Sequence, residues 1–462
     1  MLQYTLRVRD LVHGTILFTA LEQKIINHPL FQRLRQIRQN DVAFYVYPSL
    51  NTSRFEHVLG TCRVAGMMAE NLTKSPKWRT YARELKAQTG VASKEEFVEL
   101  ARLYALLHDI GHLPLSHLFE MAVGSSQEVA KEWTNVQGFS KLHEAFGAVI
   151  VRRLIEDIVF PEDIKRALLC LMTEKSFSLE NPLSVVKALI DAEIDADRID
   201  FVRRDGLLAG GEYGNYDIRR LCDCVFIERD ERGWLVAYSE SAITSMEALL
   251  LDRYRTHVWI HFHHQVVAMK MLVRHLINKA CEAGAISKKH FSIARIEEFA
   301  MRDDVWLWNV LRGMEACDEL THMIQRAVFF REKSNVVNLW KNRPAYHELR
   351  EKVMRKARTT DLYFGMIPLY ERCLTDNLDI DTFIFEVRFS PISKDAVLLY
   401  SERDKKLTGK NLLDISRLVA DLDAIWKSEP QEFILLVGHN VAKQLDSMKR
   451  QWIDLTARWI KE

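Results

Sequence analysis

The chain has 462 residues, 48% of them hydrophobic and 27% charged, the balance of a globular protein rather than a disordered or fibrous one. With 64 Lys+Arg against 63 Asp+Glu, the formal net charge is +1. No global basic field draws nucleic acid, so a local basic groove is the remaining route to such a partner.

At roughly 100–200 residues per domain, the length predicts two to four domains, or one large domain with an appendage. The opening residues, MLQYTLRVRDLVHG, hold no apolar stretch of signal-peptide length. No apolar run approaches the roughly 20 residues that span a bilayer, so no membrane partner is expected. Most of the first 350 residues read as helix. Within 97–107, Phe97, Leu100, Leu103, Tyr104 and Leu107 recur on one helical face. Residues 183–205 continue that pattern, with Val185, Val186, Leu189 and Ile190 ahead of an acidic stretch. Residues 224–240, CVFIERDERGWLVAYSE, predict a hairpin turning near Asp230–Gly233. Residues 253–267, RYRTHVWIHFHHQVV, predict a helix with His257, His261 and His264 on one face. That face reads as a pocket wall or subunit contact rather than, with His263, a second metal site. Trp306 and Trp308 are expected in the core. TFIFEVRF (382–389), AVLLYSER (396–403) and EFILLVG (432–438) predict one small late sheet, with two final helices from Leu412 and from Val441. The predicted class is mainly α: a helical body over 1–330 with a small hairpin, then a smaller α+β region over 331–462. Seven cysteines, at 62, 170, 222, 224, 281, 317 and 373, form no repeated spacing. A reduced, cytoplasmic protein is the expectation.

The chemistry concentrates in His108-Asp109-Ile110-Gly111-His112, at the end of an apolar helix. Both His108 and Asp109 can face one metal if the helix unwinds at Gly111. One such dipeptide is weak evidence, since about one arises by chance at ordinary composition. His57 upstream and Asp195, Asp197 and Asp200 downstream add to it. The set His57, His108, Asp109 and Asp197 gives two imidazoles and two carboxylates, which suit a first-row divalent ion with open positions for water and a phosphate oxygen.

FQRLRQIRQ (31–39), YVYP (45–48), SRFEHVLG (53–60), HDIGHLPLSH (108–117), LHE (142–144) and DADRIDFVRRD (195–205) together resemble the HD-domain deoxynucleoside triphosphate triphosphohydrolases. These motifs cover about residues 1–270. The order H…HD…D alone is shared with HD phosphodiesterases and nucleases, and a nucleotide-sensing protein with little turnover is a further alternative. The resemblance implies a mainly helical fold, hydrolysis of dNTPs to deoxynucleoside and inorganic triphosphate, a homo-oligomer and an activating nucleotide. It implies a divalent cofactor (Mg, Mn, Fe, Co or Zn) on His57, His108, Asp109 and Asp197. His117, with His112 before it, becomes the proton donor, Glu120 its orienting acid, and His143 and Glu144 its neighbours. Arg54 and Arg198 become triphosphate contacts, while Gln39 and Asp205 take the sugar 3′-hydroxyl. Asn40 and Phe201 stand where mammalian-type members carry Leu and Tyr under the sugar. Gln32 and Arg35, with Asp217 and Arg220, match activator contacts, but Asn27 and Arg9 replace two others. Gln32, Arg33 and Arg35 also read as a solvated helix face.

Overall fold

The computed structural model describes residues 2–124, 127–332, 336–340, 367–369, 380–387, 397–428 and 431–438. The fold is mainly helical, as the apolar periodicity predicts. At its centre lies helix Lys94–Leu107, started by a capping box in which Ser93 Oγ accepts from the Glu96 N–H and Glu96 accepts from the Ser93 N–H. Its predicted face, Phe97 to Leu107, is buried, and so are Ala101, Ala105 and Leu106 on the other sides. A helix apolar all round is one enclosed by others. Helix Arg54–Leu72 packs along it, and helix Ala196–Leu208 packs on the far side of Arg54–Leu72. That second contact depends on Gly60: a Cβ there would fall 1.9 Å from Asp200 Oδ1. The 183–205 segment is two helices, Leu183–Ala188 and Ala196–Leu208, because Asp195 caps the second by accepting from the Arg198 N–H at 2.7 Å.

An N-terminal hairpin, Tyr4–Asp10 with Gly14–Thr19, was not anticipated by the helical reading. It is locked to the centre by a buried ion pair. Arg102 reaches Glu22 at 2.6 Å and 2.8 Å and donates to the Leu17 carbonyl oxygen.

The predicted hairpin forms from Val225–Asp230 and Gly233–Ser239, with Asp230 opposite Gly233. The late strands do not make one sheet. Leu398–Ser401 pairs parallel with Gly233–Ser239, and Lys406–Asn411 follows it. Ile380–Val387 and Gln431–Gly438 pair in a separate sheet with Val336–Trp340 and Ile367–Leu369. The reason lies in Gly233–Ser239, which is buried along almost its whole length; such a strand needs a partner on each edge. The helix from Leu412 is two, Leu412–Ile415 and Arg417–Ser428. The helix from Val441 falls outside the described residues.

The helix predicted across 253–267 is also interrupted. Ile243–Thr256 runs into a wider turn at His257–His261, and a new helix starts at His264. His263 is extended and caps it, its ring accepting from the Gln265 N–H. His264 therefore leaves the face shared by His257 and His261. Trp308 is buried and Trp306 packs against the core. Among the described residues, no helix is long and apolar enough to cross a membrane.

Candidate metal centre and active-site cavity

His57 sits in the first turn of Arg54–Leu72, His108 caps the end of Lys94–Leu107, and Asp197 sits in the first turn of Ala196–Leu208. Three separate helix ends thus converge, and one ligand atom from each residue lies within 4.8 Å of the others. His57 Nε2 is 2.8 Å from Asp197 Oδ1 and 3.6 Å from Asp109 Oδ2. His108 Nε2 is 3.6 Å from that Asp109 oxygen and 3.8 Å from Asp197 Oδ1. Neither buried Nε2 makes a geometrically formed hydrogen bond among the described residues, so the 2.8 Å approach to Asp197 is an electrostatic one.

The opposite ring nitrogens explain this. His57 Nδ1 is 2.8 Å from Asp200 Oδ2, and His108 Nδ1 is 2.7 Å from the Ala105 carbonyl oxygen. With each Nδ1–H donating, each lone pair stays on Nε2 and faces the centre. The residues present therefore fit a divalent ion. Burial disfavours a charge on His57, but the Asp197 and Asp200 carboxylates outweigh it and push the imidazole up to about 10. An ion would take the place of that proton. Asp109 also contacts Arg54 through the same Oδ2. Burial opposes its charge, yet Arg54, His108 and His112 hold its carboxyl well below the usual range.

Behind His57 stands an arrangement that the sequence did not disclose. Asp200 accepts from Arg204 Nε at 2.9 Å and Nη2 at 2.8 Å, and its Oδ1 is 2.7 Å from His13 Nε2. Arg204 Nη1 continues to Asp10 at 2.9 Å. The N-terminal hairpin thus braces the orienting carboxylate of a metal-type histidine. Arg33 was also misjudged as solvated. It is buried, and its Nη2 donates to the Ile110 and His112 carbonyl oxygens at 3.0 Å and 2.7 Å. It holds the turn after His108, where Gly111 packs so closely that a Cβ would lie 2.0 Å from the His143 carbonyl oxygen.

A second histidine group adjoins the centre. Glu120 accepts from the His143 N–H at 2.6 Å, lies 2.8 Å from His143 Nδ1, and is 3.4 Å from His117 Nδ1. Burial opposes the Glu120 anion, but His143 and His117 hold it well below the usual range. His112 and His143 stack at 4.0 Å and 17°, with His117 across them at 88° and 73°. One nitrogen of each ring lies within 4.8 Å of the others. Rings stacked face to face cannot both aim in-plane lone pairs at one ion, so the group suits proton handling better than metal binding. Burial and the nearby Arg54 push His112 well below its ordinary pKa.

Both groups open on a cavity of about 570 Å³, within the range of nucleotide-sized ligand sites. Gln39, Asn40, Arg54, His108, Asp109, His112, His117, His143, Glu144, Asp197, Phe201 and Asp205 all line it. Glu120 lies behind the wall, and His57 is fully buried. Gln39 Oε1 is buried and without a hydrogen-bond partner among the described residues. Asn40 differs from expectation: its amide donates to Asp205 Oδ1 at 2.7 Å, while His261 Nε2 stands 3.1 Å from Oδ2. Asn40 thus lines the cavity while holding Asp205. Arg198 does not line the cavity; its guanidinium is turned onto Asp195 and the Ala192 carbonyl oxygen. Lys141, Lys175, Lys187 and Lys270 do line it, and no local motif marks them in the sequence. The four activator-type residues lie outside the wall. Gln32 and Arg35 bond each other at 2.7 Å, and Arg35 covers the Phe55 ring. Asp217 caps its own short helix, and Arg220 donates to the Ser241 carbonyl oxygen.

A sequence model of the HD domain matches residues 54–200, from Arg54 through the His57 and Asp197 ligands to Asp200. An uncharacterized protein of Methanocaldococcus jannaschii is 29% identical over 309 residues, 67% of this chain and 55% of that protein. The bovine deoxynucleoside triphosphate triphosphohydrolase SAMHD1 is 33% identical over 144 residues, 31% of this chain and 22% of that enzyme. The chain spans about half the length of the first curated relatives it matches, 55% and 50%. Among solved structures, a hypothetical protein from Aquifex aeolicus superposes with a TM-score of 0.66 at 21% identity, covering 96% of this chain and 99% of that one. A phosphohydrolase from Bacteroides thetaiotaomicron gives 0.63 at 19% identity, covering 94% and 99%. Those two likenesses establish the fold. Residues 54–200 of the chain therefore form an HD domain, and deoxynucleoside triphosphate triphosphohydrolases are among the proteins to which the chain is similar.

Proposed function

We propose that this protein hydrolyses deoxynucleoside triphosphates to deoxynucleoside and inorganic triphosphate, using a divalent metal. The observation that carries the reading is one cavity wall holding three things: a His/Asp metal-type set, a histidine held by a carboxylate, and the sugar-type pair Gln39 and Asp205. His57, His108, Asp109 and Asp197 would hold the ion, which supplies Lewis-acid charge and lowers the pKa of water. A triphosphate carries about four negative charges, and Arg54 with the cavity lysines provides countercharge. Water attacks the α-phosphorus, the bond from phosphorus to O5′ breaks, and the water oxygen leaves with triphosphate. The 5′-alkoxide is a poor leaving group, so a proton must reach O5′ as the bond breaks. His117 projects into the cavity; burial pushes its pKa down, and Glu120, 3.4 Å from Nδ1, opposes that shift by favouring the charged form. The one proton of a 3′-hydroxyl is donated to Gln39 Oε1 or to the Asp205 carboxylate. Every cavity residue falls within 1–330, which supports a reading of that region as the one that carries the chemistry.

The test is a panel of dNTPs and rNTPs with Mg, Mn, Fe, Co or Zn, with products separated by chromatography. Deoxynucleoside and inorganic triphosphate are expected. Pyrophosphate with a nucleoside monophosphate, or binding without product, would refute the proposal.

A further inference from the structure

The chain approaches His117 through an unusual backbone. Leu115 and Ser116 have φ of 55° and 52°, two consecutive side-chain-bearing residues with positive φ. Neither is glycine, so surrounding contacts must hold the segment there. Those contacts trace to one carboxylate, Asp304, fully buried in the first turn of helix Asp304–Gly313. Its Oδ1 accepts from the Leu115 N–H at 2.7 Å, and its Oδ2 accepts from the Arg38 N–H at 3.0 Å. The Arg38 guanidinium adds a contact to Oδ2 at 3.3 Å. The latch closes through Ser116, whose hydroxyl donates to the Arg38 carbonyl oxygen at 2.7 Å and accepts from Arg54 Nε at 2.9 Å.

Arg38 directly precedes Gln39 and Asn40, and Ser116 directly precedes His117. One carboxylate some 190 residues away therefore joins the segment that presents the acid to the segment that faces the sugar. We propose that Asp304 is a positioning residue: it fixes the reach of His117 toward the leaving oxygen relative to the sugar held by Gln39 and Asp205. This rests on the hydrolase reading above. Both Asp304 oxygens receive backbone N–H donors from different segments, a job for a carboxylate. An asparagine would turn its own NH₂ donor against one of them. The strained turn would then relax, and His117 would shift by a fraction of an ångström to an ångström, enough to spoil proton delivery.

A leaving-group comparison tests this. Asp304→Asn is assayed on a dNTP and on the same dNTP carrying sulfur at the bridging 5′ position. A thiolate leaves without protonation, so an enzyme lacking a well-placed acid is penalised far less on it. On the oxygen substrate kcat should fall about 10–100-fold, a part of the 10²–10⁴ a general acid is worth. KM should change by less than about threefold, and the sulfur substrate should lose less than about threefold in kcat. Ser116→Ala, which opens the other half of the latch and also frees Arg54 Nε, should show the same oxygen-to-sulfur split in kcat on top of a loss common to both substrates. Equal losses on both substrates, or no loss on either, would overturn the assignment. A wild-type protein inactive on every dNTP would instead refute the hydrolase reading, so the two failures are told apart.

Discussion

Asn40 and Asp205 show what a single pairing does to a prediction. Read from sequence, Asn40 stands under the sugar, where mammalian-type members carry Leu. In the fold it is one of two groups that hold Asp205, with His261 the other. Asn40→Leu strips a partner from a buried carboxylate, a loss of about 1–3 kcal/mol. The expected result is a fall in kcat/KM for dNTPs of roughly 5–150-fold, by the same energy. An unchanged value would show that Asp205 does not depend on Asn40. At the metal centre, His108→Ala with Asp109→Ala removes one imidazole whose Nε2 lone pair faces the centre and one carboxylate beside it. Elemental analysis should find the bound ion lost and turnover abolished, with the helical circular dichroism retained. Full activity with less metal would end the metal reading. The sequence made the residue identities legible because His108-Asp109 and Asp195–Asp205 are local patterns. It could not show that Arg198 turns toward Asp195, since a side-chain rotamer answers to neighbours on other elements.

The elements were legible to the extent that their signal is local. Phe97–Leu107 repeats at helical spacing, and helix Lys94–Leu107 follows. Tyr4–Asp10 alternates exposed and less exposed residues with period two, a strand signature as short as the helical one is long. The interruption near His263 was missed because the histidine run fits a continuous helical face, and only the His263 ring accepting from the Gln265 N–H reveals the restart. Arg33 was missed for a related reason: an Arg-rich short helix looks solvated until its carbonyl partners, 77 and 79 residues on, come into place. Between elements, the Arg102–Glu22 pair is fully enclosed. Removing one partner leaves the other charge buried, so Arg102→Ala should cost about 3–5 kcal/mol. Urea unfolding followed by circular dichroism measures it. A loss below about 1 kcal/mol, typical of an exposed pair, would show that water reaches Glu22.

For the whole molecule, two buried groups give stability opposite dependences on pH. His275, buried with its Nε2 3.1 Å from Thr321 Oγ1, is pushed down to about 4 by burial. From its ordinary value near 6.5 down to that value, the unfolded chain binds a proton that the folded chain refuses. Stability from His275 is therefore full at neutral pH and lost as pH falls through that window, by about 2 kcal/mol between pH 7 and 5. Asp304 runs the other way: burial pushes it up to about 6, so the folded chain holds the extra proton. Its contribution grows as pH falls from about 6 toward the ordinary carboxylate value, by roughly 1–2 kcal/mol at pH 5. The two nearly offset in the wild type. His275→Gln should lose less stability than wild type between pH 7 and 5, and Asp304→Asn should lose more. Urea midpoints at both pH values measure this, and parallel behaviour of all three proteins would remove these groups from the account.

The parallel pairing of Gly233–Ser239 with Leu398–Ser401 also sets the order of events at the ribosome. Nearly 160 residues separate the two strands, and synthesis at 5–20 residues per second needs about 8–30 s to cover that stretch. Throughout that interval a buried-type strand shows one open edge to solvent, and open strand edges recruit other chains. Every newly made copy passes through this stage, so crowded translation is where self-association would begin.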